Sequence, residues 1–249
     1  MFRWRCRMTI DFNHRPKPGE VINQLIDAAL VAENNKQPRR EYLGASGIGR
    51  ECERQIQYDY AGAPKEKNFD GITLRKFAAG HYYEDDTAKL LKAAGFELRT
   101  QKPSGGQFGF EALNGKFSGH ADGVFVAGHN VLKYPALWEH KAVGNKSFAK
   151  HLKEKVAKAN PTYAAQIAIY QAYLDLTENP AVFTVRNTDT QELYFELVPF
   201  DAKLAQETSD KALRIIQATE AQELLPRVAQ NQDFYLCKWC DFQDRCWGQ

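Results

Sequence analysis

Four of the five cysteines of this chain lie near its two ends, so a fold that uses them together must bring those ends into contact. Cys237, Cys240 and Cys246 form a C-x2-C-x5-C cluster close to the C-terminus, whereas Cys52 stands alone far upstream. The opening residues lack the apolar segment of a secretory signal, which predicts a reducing cytosol where disulfides are uncommon. Reduced thiols at this spacing indicate a metal site with four sulfur ligands, and Cys6 is expected to take no part.

Two kinds of metal centre accept four thiolates. Tetrahedral zinc is one and an iron–sulfur cluster is the other, and thiolate chemistry alone admits both. Structural zinc sites usually combine two C-x2-C pairs, whereas Cys52 brings no second cysteine with it. This difference favours an iron–sulfur cluster.

Composition restricts the classes of partner. The formal charge is +2, so affinity for nucleic acid has to come from local basic patches rather than from net charge. No apolar run approaches the roughly 20 residues that cross a bilayer, which predicts no membrane partner. With 249 residues and no evident linker, we expect a short N-terminal arm over residues 1–18 and a single domain over residues 19–249.

The periodicity of apolar residues predicts an α/β protein with a mixed central sheet flanked by helices. Helices are predicted over residues 20–35, 46–62, 73–94, 146–159, 161–176 and 201–227. Strands are predicted over residues 96–101, 107–113, 116–128, 136–143, 181–187 and 191–200. In the second helix, Ile48, Cys52 and Ile56 are four residues apart, so Cys52 is expected to face inward.

A carboxylate pair with a lysine lies in the predicted strands. Asp122 falls in one strand, and Glu139 and Lys141 alternate around His140 in another, so both side chains point to the same face. Carboxylates bind Mg²⁺ or Mn²⁺, and an adjacent ammonium offsets phosphate charge, as phosphodiester cleavage requires. The backbone carbonyl of His140 is a further candidate metal ligand. Alternatively, Glu-x-Lys is a common salt-bridge pattern on exposed strands, although apolar neighbours such as Trp138 indicate partial burial here.

Two helices carry further candidates. His81 and Glu84 are three residues apart and share a helical face that can aim at a metal, or else belong to a solvated surface. Gln166 and Tyr170 lie on one face of the helix that follows Pro161, where they either contact the site or belong to the core.

A run of lysines follows the strand of Glu139. It predicts either phosphate contact or a solvated amphipathic helix, and it comprises Lys146, Lys150, Lys153, Lys155 and Lys158. The aromatic side chains Tyr82, Tyr83 and Phe148 are candidates for stacking on single-stranded bases.

Taken in order, these motifs resemble the PD-(D/E)XK nuclease superfamily, and more closely its RecB-like branch. The matching residues are Gly80-x-x-x-Glu84 with His81, then Asp122, Glu139-x-Lys141 and Gln166-x-x-x-Tyr170. The cysteine set is similar to that of the iron–sulfur members: the CRISPR-associated adaptation exonucleases, the AddB-type nuclease and phage nucleases. One departure is Ala121, which stands where the superfamily name has proline.

The resemblance implies a restriction-endonuclease-like core and a role for each motif residue. It implies that His81, Asp122 and Glu139 are metal ligands, that Lys141 is the catalytic lysine, and that Gln166 and Tyr170 assist. It further implies a 4Fe–4S cluster that joins the N- and C-terminal segments, held by Cys52, Cys237, Cys240 and Cys246.

The expected function is therefore a metal-dependent DNA exonuclease that acts on ends or single strands without sequence specificity. The expected setting is phage or mobile-element recombination or repair in a bacterial or phage-infected host cytosol, with a protein partner in a recombination complex. The alternative is a non-catalytic DNA-binding module with a structural four-cysteine metal site.

Overall fold

The computed structural model describes residues 17–248, which form two compact units. The smaller unit contains residues 17–38 and 69–77, and the larger unit contains residues 39–68 and 78–248. The predicted arm lies outside the described residues except for Lys17 and Pro18, and Cys6 also lies outside them. Across residues 17–248, no helix is long and apolar enough to cross a membrane.

The smaller unit contains helix α1 (Pro18–Asn34) and the beginning of helix α3 (Gly71–Ala93), which continues into the larger unit. Pro18 occupies the first turn of α1, where its missing N–H leaves no hydrogen bond unmade. An ion pair between Asp27 and Arg75 joins the two helices. No side chain of α1 is buried, although its periodicity predicts an apolar face.

The larger unit contains the predicted runs of strands and helices, together with one short strand and two short helices that were not predicted. Its strands are β1 (Leu43–Gly44), β2 (Glu97–Arg99), β3 (Phe108–Ala112), β4 (Phe117–Ala121), β5 (Gly123–Ala127), β6 (Ala136–Val143), β7 (Ala181–Asn187) and β8 (Leu193–Val198). Its remaining helices are α2 (Glu53–Ala61), α4 (Asn145–Ala159), α5 (Pro161–Tyr173), α6 (Ala202–Glu220), α7 (Tyr235–Lys238) and α8 (Gln243–Trp247).

The strands form two sheets. The larger sheet has the order β2-β5-β6-β7-β8, in which β6 and β7 are parallel and the other neighbours are antiparallel. The smaller sheet has the order β1-β4-β3, with β1 parallel to β4. The prediction of an α/β protein with mixed strand directions is thereby confirmed.

Helices cover both faces of the larger sheet, as two neighbouring residues of β6 show. Neighbouring side chains of a strand point to opposite faces of the sheet. Leu137 belongs to a buried cluster with Ile167 of α5 and Ile215 of α6. Trp138 belongs to a second cluster with Leu91 of α3 and Val182 of β7. This continuous burial is typical of a strand enclosed between two helical layers.

The predicted strand over residues 116–128 is divided between the two sheets. Residues up to Ala121 pair with β3, and residues from Gly123 onward pair with β6. Asp122 is the residue at which the chain changes sheets. Period-two alternation continues through this position, so the pattern of apolar residues contains no sign of the change.

Helix α2 begins at Glu53, and the prediction of a continuous helix from Ser46 is wrong. Residues 45–47 form a single 3₁₀ turn, and Cys52 is the N-cap residue of α2 rather than a position inside it. The physical reason lies at Gly49, where a Cβ atom would stand 2.6 Å from the Cα atom of Thr162. The chain here passes too close to α5 for a regular helix with side chains.

Helix α6 ends at Glu220, seven residues before the predicted boundary at Arg227. The Asp201 side chain caps its first turn by accepting a hydrogen bond from the Leu204 N–H (2.9 Å). Beyond its end, the amide of Gln57 donates to the carbonyl of Glu223 (2.6 Å) and accepts from the N–H of Leu225 (2.9 Å). These bonds to α2 replace the hydrogen bonds that a longer helix would make.

The packing of α6 predicts a contrast between two of its aliphatic residues. Ile215→Ala empties a fully buried position and is expected to lower the free energy of unfolding by about 2–4 kcal/mol. Leu213→Ala, on the same helix at a position 39% exposed, serves as the control and should cost less than about 1 kcal/mol. Urea unfolding followed by circular dichroism measures both, and equal losses would contradict the assignment of this face to the core.

Candidate active site

The change of sheet at Asp122 brings a carboxylate against the backbone of β6. Pairing between β5 and β6 ends at Gly123 and Trp138, so the N–H of His140 has no strand partner on that side. The Asp122 Oδ2 atom accepts a hydrogen bond from this N–H (2.7 Å). Asp122 therefore lies beside the backbone that carries Glu139 and Lys141.

Glu139 and Lys141 lie on the same face of β6, as predicted, and form an ion pair. Glu139 is fully buried and the Lys141 side chain is 21% exposed. Burial raises the pKa of Glu139 to about 8, and Asp122 acts in the same direction, while Lys141 opposes both. Burial alone would lower the pKa of Lys141, but the Glu139 and Asp122 carboxylates raise it well above its usual range. The lysine therefore stays protonated at neutral pH.

A third carboxylate, Glu84 of α3, belongs to the same group. Burial raises the pKa of Glu84 to about 7, with Asp122 acting in the same direction and Lys141 in the opposite one. Burial also raises the pKa of Asp122, against the lowering effects of Lys141 and of the His140 N–H. Three carboxylates thus lie around one positively charged side chain, that of Lys141.

Sequence reasoning gave Glu84 two alternatives, a helical face shared with His81 that can aim at a metal or a solvated surface. Its neighbours Asp85 and Asp86 suggest such a surface, yet Glu84 is only 26% exposed. Asp86 instead forms an ion pair with Arg186 of β7 (2.6 Å). The signals in the sequence were the Gly80-x-x-x-Glu84 pattern and the three-residue spacing between His81 and Glu84.

Helix α5 supplies the polar residues that the sequence placed near the site. Gln166 and Tyr170 are both buried, and the Gln166 Nε2 atom donates to the Tyr170 hydroxyl (3.3 Å). Burial raises the pKa of Tyr170 above its usual range, and Glu139 adds to the effect. The Tyr170 ring lies against β4 at Gly119, where a Cβ atom would stand 2.6 Å from its Cε1 atom. Because its pKa is raised, Tyr170 keeps its proton at neutral pH and its hydroxyl can donate a hydrogen bond.

The two histidines of the sequence prediction differ in their surroundings. His81 is 83% exposed, and its Nδ1 atom lies 3.9 Å from the Glu84 carboxylate at the edge of the group. The His140 ring is buried beside Trp138 on the face of β6 opposite Glu139. Burial lowers the pKa of His140 to about 3, so this ring is neutral.

The carboxylates fit a hard divalent cation by their chemistry. The Glu139 Oε2 atom is buried without a hydrogen-bond partner, and such an orphaned carboxylate oxygen is costly unless a cation or water satisfies it. Oxygen ligands of this kind suit Mg²⁺ or Mn²⁺. In the part of the chain that the structure describes, no three His, Cys, Asp or Glu side chains are arranged to hold a metal ion as they stand.

The four cysteines Cys52, Cys237, Cys240 and Cys246 are all free, and they line one small cavity. They are not arranged as a formed metal site within residues 17–248. Burial raises the pKa of the Cys240 thiol to about 11, with Cys52 and Cys246 acting in the same direction. The expected four-cysteine cluster, which would join residues 185 apart at Cys52 and Cys237, therefore stays a prediction.

The lysine run is exposed along α4, whereas one of the proposed stacking residues is not. The exposed lysines are Lys146, Lys150, Lys153, Lys155 and Lys158. Phe148 is 4% exposed and belongs to the core, so the prediction that it stacks on bases is wrong. Tyr82 is 64% exposed, and Tyr83 packs under the guanidinium of Arg186 at 4.7 Å.

Comparison with known proteins finds solved structures that are similar to this chain. No family model and no curated protein sequence matches the chain. An alkaline exonuclease (LHK-Exo) from Laribacter hongkongensis matches with 14% identity and a TM-score of 0.50, over 78% of this chain and 93% of that one. The complex of LHK-Exo with dAMP matches with 14% identity and a TM-score of 0.49, over 80% and 93%. The protein SSO0001 matches with 14% identity and a TM-score of 0.48, over 89% and 94%.

At this identity the likeness establishes the fold alone, which is similar to that of the alkaline exonuclease. The expected nuclease-like α/β architecture is thereby confirmed.

The raised pKa of Glu139 predicts a pH-dependent stability in the absence of divalent cations. A carboxyl whose folded pKa is raised binds more protons in the folded state, so stability falls as pH rises from about 5 to about 8. Between about pH 5 and about pH 8, Glu139→Gln should reduce this loss of folding stability by more than about 1 kcal/mol. Urea unfolding in EDTA tests it. Glu207→Gln, at a side chain 62% exposed, is the control and should follow the wild type; a Glu139→Gln profile parallel to wild type would contradict the burial argument.

Proposed function

We propose that this chain is a Mg²⁺- or Mn²⁺-dependent DNA exonuclease of the RecB-like iron–sulfur type, which hydrolyses phosphodiester bonds at DNA ends or in single strands. The observation that carries the proposal is the group of Asp122, Glu139 and Glu84 around Lys141, in which Glu139 is fully buried and the other two carboxylates are partly buried. Proteins seldom gather three carboxylates beside one lysine in a partly buried region without a bound cation. The nuclease-like fold, shared with an alkaline exonuclease, supports the same conclusion.

Asp122 and Glu139 are the residues proposed to hold the divalent cation, with Glu84 beside them and with His81 and the His140 carbonyl as further ligands. The unpartnered Glu139 Oε2 atom is the strongest support, because a hard cation would satisfy it. When bound, the cation would neutralise phosphate oxygens and lower the pKa of a water molecule.

Lys141 acts through its charge in this proposal. Because Glu139 and Asp122 keep its pKa high, the lysine does not serve as a general base at neutral pH. Its ammonium is suited to orienting the attacking water and to stabilising charge that grows on the phosphate. An electrostatic contribution of this kind is commonly worth about 10²-fold in rate or more.

Tyr170 and Gln166 are proposed to position the scissile phosphate or the attacking water. The tyrosine keeps its proton at neutral pH, so its hydroxyl is a donor. Gln166 donates to the oxygen of that hydroxyl, which leaves the O–H proton free to point elsewhere. A polar pair of this kind on a buried helix face requires a polar neighbour, and the carboxylate group provides one.

DNA is the proposed partner, bound through the exposed lysines of α4 without sequence specificity. Helix α4 follows β6 directly, so its lysines begin close to the carboxylate site in sequence and in the fold. Contacts of lysine with phosphate would make binding fall steeply with salt. Tyr82 remains a candidate for stacking on a single-stranded base.

A 4Fe–4S cluster is proposed at Cys52, Cys237, Cys240 and Cys246. The chemistry of the cavity supports it, since four free thiols line it and a cation that binds thiolates suits them. Burial raises the pKa of two of these thiols, Cys237 and Cys240. The Arg54 Nη1 atom lies 3.9 Å from the Cys246 Sγ atom, and Arg227 donates to the Cys246 carbonyl (2.6 Å). Zinc is the rival occupant.

A second candidate function is a non-catalytic DNA-binding module with a structural four-cysteine metal site. The Glu139–Lys141 ion pair favours it, because an inert strand would form the same pair. In either case the proposed setting is phage or mobile-element recombination or repair in a bacterial or phage-infected host cytosol, with a protein partner in a recombination complex.

Cleavage of end-labelled DNA separates the two candidates. Lys141→Ala should lower metal-dependent trimming of single- or double-stranded DNA by about 10²-fold or more, while circular dichroism and DNA binding stay near wild type. The assay uses Mn²⁺, Mg²⁺ or EDTA. Lys203→Ala, at a side chain 85% exposed, is the matched control and should cleave like wild type. Binding without cleavage in every metal would favour the DNA-binding module.

Loss of one cysteine tests the cluster. Cys52→Ala should abolish the visible absorbance of anaerobically purified protein, together with its iron and acid-labile sulfide, because three thiolates hold a four-iron cluster poorly. Cys6→Ala is the control and should leave all three signals unchanged. Stoichiometric zinc in the wild type, with no iron, would assign the site to zinc instead.

A further inference from the structure

We infer that Tyr163 is a positioning residue for Lys141: its ring face carries the lysine ammonium and fixes where that positive charge stands. The catalytic consequence of this contact rests on the proposed function. The contact itself does not, and it is open to a separate measurement.

The geometry consists of two contacts on one ammonium group. The Lys141 Nζ atom lies 5.2 Å from the centroid of the Tyr163 ring, within the range of a cation–π interaction. The same nitrogen is paired with the Glu139 carboxylate. With only 21% of the side chain exposed, little water competes with either contact.

A lysine needs such a second contact if its charge is to be placed accurately. The ammonium is a point charge on four flexible methylene groups, and one carboxylate partner leaves it free to swing around that carboxylate. The ring face removes this freedom without contributing another charge. A misplacement of about 1 Å near reacting groups can cost roughly 10²-fold in rate.

Two buried rings hold Tyr163 in place. The His151 ring is nearly parallel to that of Tyr163, with a 9° angle between planes and 6.1 Å between centroids. Phe183 of β7 lies tilted against both, at 5.5 Å from His151 and 6.2 Å from Tyr163. Burial lowers the pKa of His151, so the ring beside Tyr163 is neutral and does not compete with the lysine for its π-electrons.

The contact with Tyr163 also gives the buried His151 ring a packing role. His151 is 1% exposed, and its Nδ1 atom has no hydrogen-bond partner. Tyr163 belongs to the same helical face as Gln166 and Tyr170, one turn earlier on α5. One helix therefore presents both the polar pair and the ring on which the lysine rests.

The contact is tested by NMR of protein labelled with ¹³C at lysine, in which Lys141→Arg identifies the Lys141 ε-methylene signal. The ring should shift this signal upfield. Tyr163→Leu should return it toward the position of exposed lysines, and Tyr163→Phe, which keeps the ring, should hold it in place. Tyr173→Leu is the matched control: it removes another α5 ring, one stacked on Phe110 at 4.4 Å, and should not move the signal. A Lys141 signal unchanged in Tyr163→Leu overturns the inference.

The functional consequence is measured by single-turnover cleavage at saturating DNA. Tyr163→Leu should lower the rate roughly tenfold, with Tyr163→Phe restoring it to within about threefold of wild type. Tyr173→Leu should lose thermal stability but not cleavage. If wild type cleaves, Lys141→Ala does not, and Tyr163→Leu matches Tyr173→Leu, positioning by Tyr163 is refuted while the nuclease stands. If wild type fails to cleave, the nuclease proposal fails and the NMR shift alone decides the contact.

Discussion

The hydrogen bond from the His140 N–H to the Asp122 carboxylate is the interaction on which the candidate site depends. It forms where β5 separates from β6, at the residue where the chain changes sheets. A backbone donor left without a strand partner must be satisfied, and a side-chain carboxylate serves where a neighbouring carbonyl cannot. The same bond holds Asp122 next to the backbone of Glu139 and Lys141. The geometry of the sheet thus determines which carboxylates meet.

The electrostatics of the site follow from this crowding. Asp122, Glu139 and Glu84 surround a single lysine in a partly buried region, and Glu139 is the one among them that is fully buried. Burial raises the pKa of each carboxyl, whereas the combined negative charge raises the pKa of Lys141. Like charges held together without water destabilise the fold unless protons or cations enter. The group is therefore poorly explained as an element of stability, which supports the proposal that it binds a cation.

Much of this arrangement was predictable from local patterns. Apolar periodicity located β6, β7 and α5 to within a few residues, and the Glu-x-Lys alternation placed two site residues on one face. The division of residues 116–128 between two sheets was not predictable, because it depends on where β6 lies in space. The start of α2 depends on a close approach to α5 at Gly49, which is a tertiary effect. The burial of Glu84 and Phe148 likewise depends on which faces of α3 and α4 the sheet covers.

The hydrogen bonds between Gln57 and the segment after α6 determine the length of the loop that a metal bound to the cysteines would close. Gln57 holds the backbone at Glu223 and Leu225, so the chain has already returned to α2 before the cysteine loop begins. While these bonds hold, a metal joining Cys52 to Cys237 would close a loop of about 17 residues, whereas in the fully unfolded chain it would close one of about 185. Because loop entropy grows logarithmically, the metal would contribute about 2 kcal/mol less against local opening of the tail than against unfolding of the whole chain. The proposed metal would therefore stabilise residues 226–248 locally, and its loss would release that segment while the two sheets keep the carboxylates together.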